Sequence, residues 1–166
     1  DEQMLQGLLT GLALCLLFYS LSQWLTLRDT LFLKYSLLLL GSLCFSLQLF
    51  GVGRPYVWGD WPWVEQHAAG FSALAAAAGS FLFIEHTLRG PDQARWWRLA
   101  MRGGAVLCGL VALAYALGLL PLRVVTALMS VLGVVPALMG LRGEFRRARA
   151  GDQVGLTLLL AWAVYA

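Results

Sequence analysis

Five uncharged apolar runs constrain this chain more than any other feature, because each is long enough to cross a membrane. A helix rises about 1.5 Å per residue, so about 20 residues cross a hydrocarbon core about 30 Å thick. The runs cover residues 4–27, 35–53, 66–84, 103–122 and 124–141, and a sixth, over 154–166, is incomplete. Lipid gives backbone N–H and C=O groups no partner, and the runs lack the alternation of barrel strands, so every span must be helical. The expected fold is all-α: a polytopic transmembrane helix bundle of five full spans and a truncated sixth, forming one domain over residues 1–166. Acidic residues precede the first run and no small-residue cleavage site follows it, so it reads as a span rather than a signal peptide. Sequence is expected to be missing at both ends.

Charge placement sets the expected orientation. All of the 12 Lys and Arg except Arg54 and Arg123 fall in three loops: Arg28 and Lys34 in the first, Arg89, Arg95, Arg98 and Arg102 in the third, and Arg142, Arg146, Arg147 and Arg149 in the fifth. The positive-inside bias puts those loops in the cytoplasm and the N-terminus, with Asp1 and Glu2, outside. A composition of 60% hydrophobic and 13% charged residues argues against a nucleic-acid partner and makes membrane lipids the first expected one.

The second loop is the most individual passage, and Arg54, Trp58, Asp60, Trp61, Trp63, Glu65 and His67 are its candidate site residues. One reading is an aromatic belt at headgroup level. The other is an outward-facing ligand or partner surface, in which Trp faces stack on an apolar or sugar-like group and the charged residues supply polar contacts. Glu65 and His67, two apart, point about 200° from each other on a helix, which suits them poorly as joint metal ligands, and no metal is expected.

Cys15, Cys44 and Cys108 lie inside apolar runs and read as small hydrophobes. Glu85 and His86 end the third run and read as boundary markers. Gly7 and Gly11 form a Gly-x-x-x-Gly face that reads as ordinary bundle packing or as a sliding or dimerising surface, the Ala-rich third run is expected to be shielded in the interior, and Pro136 is expected to kink the fifth. The basic loops read as topology signals or as docking sites for an output domain or anionic lipid. No Gly-x-Ser-x-Gly, His-Glu-x-x-His, Cys-x-x-Cys or Walker loop occurs, so neither catalysis nor a cofactor is expected in this segment.

The residues Phe18-Tyr19-Ser20-Leu21-Ser22 through Leu27-Arg28-Asp29, then Phe32-Leu33-Lys34-Tyr35, Gly51-Val52-Gly53 and Tyr56-Val57-Trp58 come in a recognisable order. With Phe81-Leu82-Phe83, Pro91 and the Arg-rich stretch that follows, the chain resembles the membrane region of bacterial seven-transmembrane receptors with diverse intracellular signalling modules. Ser20 stands where members often carry Asn. The resemblance implies an inner-membrane signalling module with a periplasmic sensory domain before the first span and a cytoplasmic output domain after the seventh, in two-component or cyclic-di-GMP signalling. Signalling of this kind often proceeds through dimers, so a second copy joins the expected partners. The alternative is a small-solute permease fragment, whose path would draw on Ser20, Gln23, Ser46, Gln48 and Ser72.

Overall fold

A computed structural model of the chain describes residues 2–51, 59, 61–87 and 95–149, with side chains described throughout except at 2, 3 and 142–149. All regular structure among these residues is helical: α1 (Glu2–Leu27), α2 (Thr30–Leu49), α3 (Pro62–Thr87), α4 (Arg95–Ala116) and α5 (Leu122–Arg149). Each is long and apolar enough to cross a membrane. The incomplete sixth run, 154–166, lies outside the described residues.

The helix ends follow backbone chemistry rather than the charges that bound the apolar runs. Arg28 takes a positive φ of 55° and closes α1, its N–H donating to Trp24 O at 2.8 Å. Asp29 then caps α2 by accepting from Leu31 N at 2.9 Å. The first loop is therefore only Arg28 and Asp29, and Lys34 lies inside α2. The turn after α4 is set by Gly118, φ 72°, in a Schellman arrangement: Leu119 N donates to Ala114 O and Gly118 N to Tyr115 O, both at 3.0 Å. Pro121 follows, so α4 ends at Ala116 and Arg123 lies in the first turn of α5. Helix α4 starts at Arg95, about two turns before its uncharged run begins.

Helix α3 is the hub, packed against α2, α4 and α5, while α1 packs against α2. Its small residues serve this position, as the Ala-rich sequence predicts. A Cβ on Gly79 would stand 2.6 Å from Leu38 N, and one on Gly41 of α2 would stand 2.8 Å from Ala76 Cα. Two antiparallel helices approach backbone to backbone at these points, as small residues allow within a membrane. Between α3 and α4 the fit is reciprocal. Gly70 of α3 receives the Tyr115 ring, and Gly104 of α4 receives the Phe81 ring. Phe81, Leu74, Met101 and Val125 form the centre of the core.

One expectation changes. Gly7 and Gly11 pack against nothing: among the described residues, an added Cβ at either meets no atom within 4 Å. The glycines whose Cβ would crowd another helix are Gly41, Gly70, Gly79, Gly104 and Gly140, and only at Gly41 and Gly79 is the neighbour a backbone. Helix α5 is continuous through Pro136, whose ring is fully buried. Exposed Leu8, Leu12, Phe18, Val106, Leu113 and Val131 give the bundle the apolar exterior that lipid requires.

These contacts separate two substitutions of the same kind. Gly79→Ala drives a methyl into the α2 backbone and should destabilise the bundle by about 1–3 kcal/mol. Gly11→Ala gains helix propensity in open space and should be neutral or stabilising by up to about 1 kcal/mol. Detergent titration of unfolding, followed by circular dichroism, measures both; equal losses would contradict the assigned interface.

Candidate functional site

Two polar or aromatic clusters lie at opposite ends of α3. At the Glu85 end the residue is 2% exposed, near the C-terminal end of α3. Two cations hold it. Lys34 Nζ on α2 donates to Glu85 Oε2 at 3.2 Å, and an Arg102 guanidinium N–H on α4 donates to Glu85 Oε1 at 3.2 Å. Lys34 Nζ also lies 3.5 Å from His86 Nδ1, and His86 Nε2 lies 3.9 Å from the Asp29 carboxylate that caps α2. Glu85 is thus the buried centre of a network that joins three helices, and the boundary-marker reading is corrected: the residue faces inward because α2 and α4 each bring a cation to that face.

The Ser20 hydroxyl continues the polar layer to α1. It donates to Phe32 O at 2.9 Å, while Ser36 Oγ stands 3.0 Å from Ser20 Oγ and 2.8 Å from Phe32 O. Both serines are buried, so the layer fixes α1 on α2.

At the Trp63 end, four rings form a stack. Trp63 and His67 lie parallel, 4.7 Å between centroids at 18°, because one helical turn separates them. His67 Nδ1 lies 2.8 Å from Trp63 O, within hydrogen-bond distance of that carbonyl. Tyr115 of α4 closes on the stack, 4.8 Å from His67 and 5.6 Å from Phe71, and its hydroxyl donates to Gln66 O at 3.3 Å. Beside the stack, between α2 and α3, is a cavity of about 290 Å³ lined by Gly41, Cys44, Trp63, His67, Phe71 and neighbouring apolar residues.

Of the seven residues singled out in the sequence, Arg54, Trp58 and Asp60 lie outside the described residues. Trp61 is 71% exposed ahead of α3. Glu65 lies in the first turn of α3, where its carbonyl accepts from Gln48 Nε2 at 3.3 Å. Trp63 and His67 are brought together. Sequence reasoning missed Tyr115, Phe71, Lys34 and Arg102 as members of these clusters. The available signal for the charged set was a carboxylate ending one apolar run, with cations bordering the runs of α2 and α4.

A bundle of five membrane-length helices among the described residues, tied by ion pairs to one buried carboxylate and showing lipid its apolar side chains, is a multi-pass membrane module. The chain belongs to the family described as 7TM diverse intracellular signalling, whose model matches residues 2–166. That makes it a receptor-type transmembrane domain linked to intracellular signalling. No curated protein and no solved structure matches the chain. The permease alternative gains no support.

The network is asymmetric, and its energetics should be too. Glu85→Gln leaves Lys34 and Arg102, whose side chains are 22% and 59% exposed, free to turn toward polar surroundings. It should cost about 1–2 kcal/mol. The double replacement Lys34→Met with Arg102→Met strands a buried carboxylate and should cost more, about 3–5 kcal/mol. Unfolding titrations of both variants test the order, and a larger loss for Glu85→Gln would reverse the assignment of the buried member.

Proposed function

We propose that this chain is the transmembrane relay of a bacterial inner-membrane receptor, carrying a periplasmic signal to a cytoplasmic output domain on the same full-length protein. The N-terminus and the Trp63 end face the periplasm in this reading, and the Glu85 end faces the cytoplasm, because Arg95, Arg98 and Arg102 cluster there. Catalysis belongs to the output domain, in two-component or cyclic-di-GMP signalling, and the receptor acts as a dimer.

The observation that carries the proposal is the network around Glu85. A buried ion network adds little net stability compared with apolar packing, so its use is in fixing a register. Both cations reach Glu85 only when α2, α3 and α4 hold one alignment. Helix α3 has 26 residues and is about 39 Å long. It connects the network rigidly to the Trp63, His67 and Tyr115 stack, where a ligand or a sensory domain can press on it. A signal at the stack that favours a second alignment then releases Glu85, and a preference of a few kcal/mol moves most of the population.

In the full-length receptor, Glu85→Gln should change basal output by about 5- to 30-fold, as a loss of about 1–2 kcal/mol from one alignment implies. His67→Ala should leave basal output closer to normal and reduce the response to signal. Output is read as kinase or cyclase activity in membrane vesicles, with reporter fusions at residue 1 and after Arg149 to verify opposite sides. Normal basal output and normal response from a properly inserted Glu85→Gln receptor would exclude the relay mechanism.

A further inference from the structure

The start of α4 carries cations where a helix disfavours them. The first backbone N–H groups present partial positive charge, and α4 has no acidic residue in its first turn to offset it. Arg95, Arg98 and Arg102 nevertheless fall within an arc of about 60° at 3.6 residues per turn. Arg95 is exposed and Arg98 is half-buried, and the Arg102 side chain is 59% exposed although it bonds to Glu85. The same face continues along the helix as Leu99, Val106, Leu110 and Leu113, all exposed. Leu99 stands among the arginines and is 72% exposed.

A free phosphate would satisfy the guanidinium groups and leave the apolar strip unused, whereas a neutral lipid would do the reverse. An anionic phospholipid uses both, through a phosphodiester for planar, bidentate donors and an acyl chain for the strip. We propose that this face of α4 is a binding site for an anionic phospholipid, with its headgroup against Arg95, Arg98 and Arg102 and a chain along Leu99, Val106, Leu110 and Leu113. Exposed Trp96 borders the headgroup level, where its amphipathic ring is favoured. Arg102 is shared, so a bound headgroup competes with Glu85 for one guanidinium and links lipid composition to the ion network. The binding site itself does not depend on the direction or existence of signal relay.

The test reconstitutes the full-length protein in vesicles of phosphatidylcholine in excess over phosphatidylglycerol, re-extracts it in mild detergent and measures the retained lipids by mass spectrometry. Wild type should retain phosphatidylglycerol above its bulk fraction. Arg95→Gln with Arg98→Gln should reduce that enrichment by up to about five-fold per arginine. Arg95→Lys with Arg98→Lys preserves charge and topology and should retain most of it. Salt near 1 M, where the screening length is about 3 Å, should lower the wild-type enrichment, and this arm holds even if the Gln variant fails to insert. Absence of enrichment in wild type, equal enrichment in an inserted Gln variant, indifference to salt, or displacement by millimolar inorganic phosphate would each overturn the proposal.

Discussion

The Glu85 carboxylate, buried between Lys34 and Arg102, is the constraint on which the arrangement of this bundle depends. Apolar helices in lipid have no hydrophobic reason to choose one neighbour or one register, since lipid chains are as apolar as leucine. A buried carboxylate does choose. It needs donors, and α2 and α4 each supply one at 3.2 Å. That single requirement fixes which faces of three helices meet at this end.

Close packing extends the alignment along the rest of α3. Gly41 and Gly79 bring the α2 and α3 backbones together, and the exchanged ring-into-glycine contacts at Gly70 and Gly104 hold α3 to α4. The aromatic stack at the Trp63 end and the ion network at the Glu85 end are therefore joined by a helix that cannot slide without breaking one of these contacts. Packed contacts of this kind favour discrete arrangements over continuous deformation.

Much of the candidate site was legible in outline and not in membership. The second loop stood out for its aromatics, and Trp63 and His67 do come together. Their partner Tyr115 lies far along the chain, and nothing in its own neighbourhood marks it. Glu85 and His86 were visible as charges at the end of a run, yet a charge at a run's end looks the same whether it meets headgroups or turns inward. Lys34 and Arg102 carried the same ambiguity. The Gly-x-x-x-Gly pattern at Gly7 and Gly11 meets no neighbour among the described residues, since a small face permits close packing without requiring a partner within the bundle.

The sequence by itself determined that the chain is helical and membrane-spanning, because the transfer of apolar side chains to lipid and the need to satisfy the backbone within each span are local, additive properties of about 20 residues. It also contained the turn chemistry of Arg28, Asp29, Gly118 and Pro121, which acts over a few positions. Only the tertiary structure decided which glycines carry close contacts, which carboxylate is buried and which rings stack. Those outcomes depend on pairs of residues distant in sequence, and no periodicity within one helix records which neighbour it meets.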